Sequence, residues 1–292
     1  RKFLTENGFT VPVAKGFSSA EEALKSADMF NWPVIVKPVD SAGSKGVTKV
    51  DRPEQLAESI QNALFFSHSK EFIIEDFIQQ KGYSSDTDSF SVNGELKFVS
   101  FSSQRFDRKA DNPYTPSAYS WPSTISDENQ KKLASEIQRL LKLLNMKTSV
   151  YNIETRESQD GKAYIMELSP RGGGNRLSEM LRYACGVDLL TNSVRAAIGE
   201  PVVDVEQKSY NGFWAEIILH SEVSGIFKSL EISEEIEKNV IERDLWIKEG
   251  DKVNGFTAAN EAVGTLVLRF DTAEELDKYM ECPENLFRIV VE

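Results

Sequence analysis

A predicted hairpin that carries two glutamates places the strongest constraint on how this chain can fold. Before its turn the sequence reads SVYNIETRES and after it KAYIMELS, and both segments are typical of strands. Asp160-Gly161, which lies between them, is the dipeptide that most strongly favours a two-residue type I′ turn. With that turn, residues whose numbers sum to 321 become cross-strand partners, and Glu154 lies directly opposite Glu167.

The paired glutamates point to a bound cation. Like charges directly opposite each other destabilise a sheet, and Glu154 and Glu167 stand among apolar residues. The same register puts Asn152 opposite Ser169 on the same face, so oxygen ligands converge there. Such a set suits Mg²⁺. The alternative is a solvent-exposed hairpin whose acidic side chains point outward.

A segment rich in arginine and glycine follows the second strand directly. After Ser169 it reads PRGGGNR and then enters a helical pattern at Leu177. Glycines let the backbone approach a ligand closely, arginine forks bind carboxylate or phosphate, and a helix N-terminus adds a partial positive charge. The candidate catalytic residues of this segment are Arg171, Asn175 and Arg176. The alternative is a flexible connector with surface arginines.

A second constellation lies upstream, in WPVIVKPVDSAGSKGVTKV. Lys37 stands near the end of an apolar strand, where its charge needs an anionic partner. The loop that follows offers Gly43, Ser44, Lys45 and Gly46, a composition able to wrap phosphates with backbone N–H groups. The sequence matches neither a Walker A loop nor a GxGxxG fingerprint. The alternative to a phosphate loop here is a tight β-hairpin.

Together with a third segment, these motifs resemble the ATP-grasp superfamily, and specifically its carboxylate–amine ligases and carbamoyl-phosphate-synthetase-like members. The third segment is the apolar strand EFIIEDFI, which taken alone is an ordinary strand with an acidic exit. The resemblance covers residues 10–200, and the stretches that carry it are VPVAKGF, VIVKPVDSAGSKGV, IIEDFI, NIETR and MELSPRGGG. It implies an α+β fold in which two lobes with mostly antiparallel sheets grip ATP, followed by a C-terminal α+β lobe.

The resemblance also implies roles for individual residues. Those expected to bind the nucleotide are Lys15, Lys37, Gly43, Ser44, Lys45, Gly46, Glu75, Asp76, Phe77, Ile78 and Asp86. Those expected to bind Mg²⁺, or Mn²⁺ in its place, are Glu154, Glu167 and Ser169. Arg171 would stabilise the phosphoryl group in transit.

Three features depart from the family's pattern. Ser169 stands where the family usually has Asn, and a hydroxyl binds Mg²⁺ more weakly. The family's glutamate for the ribose is replaced after EFIIEDFI by a stretch in which Asp86 or Asp88 could substitute. The chain also begins at Arg1, about where family members have completed an N-terminal α/β domain, so that domain is expected to be absent.

The implied activity is that of an ATP-dependent ligase forming a carbon–nitrogen bond. A substrate carboxylate attacks the γ-phosphorus, an acyl phosphate forms, and an amine or a thiol then displaces phosphate. The alternatives are a kinase that stops at a phosphorylated carboxylate or carbamate, and a noncatalytic nucleotide-binding domain. The expected partners are ATP and small-molecule carboxylate and amine substrates, with a homodimer as a further possibility.

Composition excludes several other classes of protein. The net charge of −12 would be repelled by nucleic acid and by anionic membrane surfaces. No apolar stretch approaches the length of a membrane span, and no signal-peptide pattern opens the chain. Cys185 and Cys282 form neither a disulfide framework nor a zinc-binding spacing, which predicts a cytoplasmic protein.

The order of the predicted elements indicates three parts. These are a linker helix with a small lobe over 1–80, a large lobe with the metal site over 81–200, and a C-terminal lobe over 201–292. Helices are predicted over 19–30, 53–66 and 126–145, and strands near 212–220, 239–247, 263–270 and 286. Asn93-Gly94 predicts a second hairpin, and residues 102–126 are predicted to form a long loop.

Overall fold

The chain forms an α+β structure whose strands pair in antiparallel ladders, as predicted. A computed structural model describes residues 1–41, 44–107, 109–110 and 114–292. By contacts between its elements the chain divides into two compact units, Arg1–Gln79 (unit 1) and Gln80–Glu292 (unit 2). The three-part division expected from the sequence stays a prediction. None of the helices described has the length and apolar character needed to cross a bilayer.

Unit 1 is a small sheet covered by helices. Its elements are α1 (Lys2–Glu6), β1 (Ala14–Phe17), α2 (Ala20–Lys25), β2 (Val34–Pro38), β3 (Thr48–Val50), α3 (Leu56–Phe66) and β4 (Phe72–Asp76). In the described part of unit 1, the four strands form an antiparallel sheet in the order β1-β4-β2-β3. Leu56, Ile60 and Ala63 recur at helical spacing on α3 and bury one face of it against this sheet.

The helices α2 and α3 of unit 1 begin at the signals predicted from the sequence. The Ser19 hydroxyl accepts a hydrogen bond from the Glu22 backbone N–H at 3.3 Å, which caps the start of α2. The predicted helix over 19–30 ends earlier, at Lys25, and a 3₁₀ turn over Ala27–Met29 continues it. Pro53 opens the 3₁₀ turn that leads into α3.

Unit 2 contains the remaining elements. Up to residue 198 these are β5 (Ser85–Val92), β6 (Glu95–Phe98), β7 (Ser103–Phe106), β8 (Pro116–Trp121), α4 (Asp127–Leu143), β9 (Ser149–Glu157), β10 (Ala163–Ser169), α5 (Leu177–Cys185) and α6 (Leu189–Ile198). Beyond it follow β11 (Phe213–Leu219), β12 (Gly225–Ile232), β13 (Val240–Leu245), β14 (Lys252–Val253), β15 (Gly264–Phe270), α7 (Ala273–Met280) and β16 (Phe287–Val291).

The described strands of unit 2 form three antiparallel sheets. Their orders are β10-β9-β5-β6, β13-β15-β11-β8-β7 and β14-β12-β16. Successive side chains of β11 point to opposite faces of the five-stranded sheet, and each face packs into its own hydrophobic core. Trp214 and Ile218 face α5 and α6, whereas Ala215 and Ile217 face α7 and the three-stranded sheet.

The two predicted hairpins form, and one of them has a different turn. Asn93 and Gly94 both have positive φ, 50° and 82°, as a two-residue type I′ turn requires. The prediction of such a turn at Asp160-Gly161 is wrong. There the Ser158 backbone N–H donates to the Lys162 carbonyl at 2.9 Å, so three residues form the connection.

The cross-strand pairing of the glutamates is nevertheless confirmed. Next to the turn, Ala163 lies opposite Glu157, which shifts the register by one residue from the predicted one. A β-bulge between Ile165 and Glu167 restores it, because one extra residue on β10 compensates for the longer turn. Glu167 therefore lies opposite Glu154.

The prediction of a long loop over residues 102–126 is wrong. Two strands of the five-stranded sheet, β7 and β8, lie within it. Every described residue of β7 over 103–105 is polar and buried, and β8 buries Ser117 and Ser120 beside Tyr119 and Trp121, so neither strand shows the alternation of apolar and polar residues that would identify it. The Ser120 hydroxyl accepts from the Arg105 guanidinium at 2.7 Å, which shows how these strands satisfy buried polar groups.

Candidate functional site

Three carboxylates form a row across one face of the four-stranded sheet in unit 2. Asp86 on β5 lies directly opposite Glu154 on β9, and Glu154 lies directly opposite Glu167 on β10. We call these three residues the carboxylate row. The sequence predicted two of its members as metal ligands and assigned Asp86 to the ribose. Their proximity required the pairing of β5 with β9, which spans more than sixty residues of sequence and carries no local signal.

A second row of polar residues runs beside the first, two positions along each strand. Asp88 lies opposite Asn152, and Asn152 lies opposite Ser169. The Asn152 amide donates to Asp86 at 2.8 Å and to Asp88 at 3.3 Å, so it joins the two rows. The Ser169 hydroxyl donates to Glu167 at 3.2 Å. The predicted ligands Glu154, Glu167 and Ser169 are thus neighbours in the structure.

The carboxylates repel one another, and the electrostatics of the site reflect this. Burial and the neighbouring Glu154 carboxylate raise the pKa of Asp86 to about 7, despite the hydrogen bond from Asn152. Glu154 is partly compensated by the Arg156 guanidinium, 3.1 Å from its Oε1. Glu167 is exposed. Excess negative charge therefore remains on this face.

The residues present fit a divalent cation with oxygen ligands. Carboxylate and hydroxyl oxygens are what Mg²⁺ prefers, and a cation would relieve the repulsion between Glu154 and Glu167. Within the described ranges, no three Asp, Glu, His or Cys side chains converge closely enough to surround a metal ion by themselves. Any Mg²⁺ here would take further ligands from Ser169, water or substrate phosphates, as is usual for this ion.

The glycine-rich segment packs tightly against the second polar row. The Gly173 backbone N–H donates to the Asp88 carboxylate at 2.8 Å. A Cβ atom at Gly173 would lie 2.6 Å from Asn152 Nδ2 and 2.7 Å from Leu177 Cδ1, closer than side chains approach. A Cβ at Gly173 therefore fits only if the ends of these side chains shift, whereas a Cβ at Gly174 meets no described atom within 4 Å.

Replacing Gly173 with alanine is expected to disturb the site, while the same change at Gly174 is not. The added methyl group would push Asn152 and Leu177 apart and destabilise unit 2 by about 1–3 kcal/mol. Gly174→Ala should change the free energy of unfolding by less than about 0.5 kcal/mol. Urea unfolding of both variants measures this difference, and equal stabilities would show that the close packing of Gly173 is unimportant.

The three predicted catalytic residues lie in different surroundings. Arg171 is exposed and donates to the Gly172 carbonyl at 2.8 Å. The Asn175 amide is 3.4 Å from the Tyr119 hydroxyl. Arg176 lies at the start of α5 in an ion-pair network, with its Nε 2.9 Å from Glu179. Arg171 is thus the most open to a ligand of the three.

Two residues near the carboxylate row were not predicted from the sequence to belong to a site. The Tyr119 hydroxyl donates to Asp86 at 3.4 Å, and Tyr119 lies in the segment predicted as a loop. Glu216 lies directly opposite it on β11, fully buried, and among the described residues neither of its side-chain oxygens has a hydrogen-bond partner. Burial raises the pKa of Glu216 well above its usual range.

Replacing Glu216 with glutamine is expected to make the free energy of unfolding less dependent on pH. The folded chain keeps Glu216 protonated while the unfolded chain ionises it near pH 4.5, so its contribution to the free energy of unfolding falls as the pH rises above that value. Relative to the wild type, the free energy of unfolding of Glu216→Gln should therefore increase as the pH rises above that value, by at most about 1.4 kcal/mol per pH unit. Urea unfolding at several pH values tests this, and a constant difference would contradict it.

In unit 1, Lys37 and Glu75 form an ion pair. Lys37 Nζ lies 2.9 Å from Glu75 Oε1, and Arg1 Nε lies 2.6 Å from Glu75 Oε2. Although burial opposes it, the hydrogen bond from Arg1 and the charge of Lys37 lower the pKa of Glu75 to about 2. Lys15 lies apart from this pair, 3.0 Å from Glu22. Glu75 is thus a buried counterion.

The other nucleotide-binding candidates of unit 1 lie at the end of β4, directly after β4, and in the loop before β3. Asp76 accepts hydrogen bonds from the Asn31 backbone at 2.9 Å and its amide at 2.7 Å. Phe77 has the Lys49 ammonium 5.2 Å from its ring centroid, and Ile78 is buried. In the loop, Ser44 and Gly46 have positive φ and Lys45 is exposed, whereas Gly43 lies outside the described residues.

Comparison with known proteins identifies the family. The family model described as "ATP-grasp domain" matches residues 30–179, just over half of the chain. The chain belongs to the ATP-grasp family, which confirms the resemblance seen in the sequence. The carbamoyl phosphate synthase large chain of Pseudothermotoga lettingae is 26% identical over 199 residues, which cover 68% of this chain and 18% of that protein. The chain thus spans about a fifth of the length of this relative.

Solved structures share the fold over the whole chain. The L-amino acid ligase from Bacillus licheniformis has a TM-score of 0.78 at 19% identity, covering 100% of this chain and 71% of that one. The biotin carboxylase domain of Hydrogenobacter thermophilus 2-oxoglutarate carboxylase, solved with MgADP and bicarbonate, has a TM-score of 0.75 at 16% identity, with coverages of 99% and 65%. At these identities the likeness establishes the fold alone.

Proposed function

We propose that this chain is an ATP-dependent carboxylate–amine ligase, or a carboxylate–thiol ligase, that acts through an acyl phosphate. The observation that carries the proposal is the carboxylate row, Asp86, Glu154 and Glu167, in a chain of the ATP-grasp family. Adjacent carboxylates on a sheet are unfavourable unless a cation neutralises them. A metal-bound nucleotide provides such a cation.

The residues of each unit have distinct roles in this proposal. Glu154, Glu167 and Ser169 hold Mg²⁺, which when bound neutralises phosphate charge and makes the γ-phosphorus easier to attack. Asp86 was expected to bind the ribose, but its position opposite Glu154 favours a role toward the metal. In unit 1, the residues that bind phosphate are Lys15, Lys37, Ser44, Lys45 and Gly46, and those that bind the adenosine are Glu75, Asp76, Phe77 and Ile78.

The reaction then needs no nucleophile from the protein. A carboxylate oxygen of the substrate attacks the γ-phosphorus in line, the bond to the β,γ-bridging oxygen breaks, and ADP leaves. An amine attacks the carbonyl carbon of the acyl phosphate, loses a proton, and displaces inorganic phosphate to form an amide. Arg171, which is exposed and interacts electrostatically with Asp88 of the second polar row, stabilises the charge on the transferred phosphoryl group.

Two other functions use the same site. A kinase would stop at a phosphorylated carboxylate or carbamate, and a noncatalytic domain would bind the nucleotide without turnover. Ser169 at the family's Asn position is the observation that favours the noncatalytic domain, since a hydroxyl is the weaker ligand.

ADP release separates the three functions. The full chain is incubated with Mg²⁺ and ATP and screened across pairs of small carboxylates and amines. Release that requires both substrates supports the ligase, and release that requires the carboxylate alone supports the kinase. Nucleotide binding without release under any pair would overturn both and leave the noncatalytic domain.

A further inference from the structure

A second group of carboxylates lies on the five-stranded sheet, on the face that packs against α5. Its members are Glu179 on α5, Glu216 on β11, and Glu242 and Asp244 on β13, and we call them the acidic cluster. Arg176 contacts three of these four. Its Nη1 lies 2.5 Å from Glu242 and 3.2 Å from Asp244, and its Nε is the atom close to Glu179.

One guanidinium does not balance the charge of this cluster. Glu216, whose oxygens are unbonded among the described residues, interacts repulsively with Glu179 and Glu242 and favourably with Arg176. Its burial without a hydrogen-bond partner is costly in a folded protein. The single positive charge of Arg176 is shared among the other three carboxylates. The net charge of the cluster is therefore negative, and a further cation would be attracted to it.

The cluster is open to solvent at one side and lined there by aromatic side chains. The Glu242 and Asp244 side chains are 28% and 41% exposed. The Tyr183 hydroxyl donates to Glu242, and the Trp246 indole N–H donates to Asp244 at 2.9 Å. Carboxylates with aromatic side chains beside them suit an organic cation, because the rings supply apolar contact area and the carboxylates supply the charge.

The cluster is also linked to the carboxylate row. Tyr119 lies directly opposite Glu216 and donates its hydroxyl to Asp86. Arg176 follows Gly173 by three residues, and Gly173 donates to Asp88 in the second polar row. A cation held at the acidic cluster would therefore lie close to the groups proposed to bind Mg²⁺ and phosphate.

We propose that the acidic cluster binds a cationic nitrogen of the substrate, an ammonium or guanidinium group. The inference rests on the ligase function proposed above and deepens it, because it identifies the amine substrate as one that reaches the enzyme as a cation. Glu242 and Asp244 form its entrance, and the buried Glu216 carboxyl, whose oxygens have no hydrogen-bond partner among the described residues, lies on the sheet behind them.

Calorimetry with simple probes tests the site directly. The full chain is titrated with 1,4-diaminobutane and, as a neutral analogue, with 1,4-butanediol. The diamine is expected to bind and the diol not. Glu242→Gln and Asp244→Asn should each weaken diamine binding by about tenfold or more, as expected for a lost charged contact. The matched control Glu231→Gln removes an exposed acid of β12 in the same unit and should leave the affinity unchanged.

Glu216→Gln provides a variant in which every contact of Arg176 with the other three acids can remain. It too should weaken diamine binding, and thermal melting of each variant checks that the fold persists. Equal affinities for wild type and all three variants, equal binding of diol and diamine, or no binding of the diamine would each overturn the proposal.

The outcome is distinct from that of the ligase assay. Diamine binding that depends on the cluster, in a chain without amine-dependent ADP release, would retain the cation site and eliminate the ligase function. Amine-dependent ADP release with the same KM for cationic amines in wild type and variants would retain the ligase function and eliminate this subsite.

Discussion

Replacing Glu167 with glutamine is expected to abolish turnover of Mg²⁺-ATP and to leave the fold intact. Glu167 is exposed at the end of the carboxylate row, directly opposite Glu154, so its carboxylate is available to a metal ion. Loss of this ligand should lower the rate of ADP release by about 100-fold or more, since metal stabilisation of phosphoryl charge contributes several kcal/mol. The sheet should not suffer, because the change removes one of two repelling charges.

The matched control for this experiment is Glu95→Gln. Glu95 is an exposed acid on β6 of the same sheet, 3.1 Å from Lys97, and stands outside the carboxylate row. Its variant should retain wild-type turnover and Mg²⁺ affinity. Wild-type values in Glu167→Gln as well would eliminate Glu167 as a metal ligand, and a lower melting temperature in Glu167→Gln would show that its role is structural.

The pairing of Glu154 with Glu167 illustrates what a sequence can predict about a site. Alternation along β9 and β10 and a turn signal between them predicted that these residues lie on the same face, opposite each other. The turn itself is a residue longer than predicted, and Asp160 accepts from the Ser158 hydroxyl within it. The bulge before Glu167, which the sequence did not predict, cancels this one-residue error because it adds one residue to β10 and so restores the register.

Contacts between distant segments could not be predicted in the same way. Asp86 joins the carboxylate row only because β5 pairs with β9, and nothing near either strand indicates that partner. Strands β7 and β8 were missed because both of their faces are buried and polar residues such as Arg105 and Ser120 interrupt the apolar pattern, their burial being stabilised by hydrogen bonds formed across the fold. Nothing in the strand predicted near 212–220 indicates that Glu216 is buried, because its burial depends on the pairing of β11 with β8 and β15.

The glycine run after β10 shows the same limit of prediction from sequence. The run of three glycines predicted close approach of the backbone to something, but not which glycine or to what. A Cβ at Gly173 would meet Asn152, Leu177 and Asp88, whereas a Cβ at Gly174 would meet none of the described atoms within 4 Å. Composition therefore indicates that tight packing or a ligand is near, and only the folded chain distinguishes the two.

The lysine strand of unit 1 permits the second prediction of a large effect. Lys37→Met keeps the length and apolar packing of the side chain but removes its charge. If Lys37 binds phosphate as proposed, the loss of a charge-assisted contact should weaken ATP binding by about 2 kcal/mol, or about 30-fold in Kd. Glu75 retains the Arg1 guanidinium as its partner in this variant, so the buried carboxylate is not left without a counterion.

Calorimetric titration with Mg²⁺-ATP measures the effect, and Lys25→Met serves as the control. Lys25 is an exposed lysine of the same unit that is also paired with a glutamate, 2.6 Å from Glu21 on α2, and it belongs to no predicted phosphate site. Its variant should bind ATP as the wild type does. The alternative role of Lys37 is structural, because its ammonium lies 2.9 Å from Glu75 and neutralises that buried carboxylate. Unchanged ATP affinity in Lys37→Met, together with a lowered melting temperature, would establish that structural role and remove Lys37 from the nucleotide site.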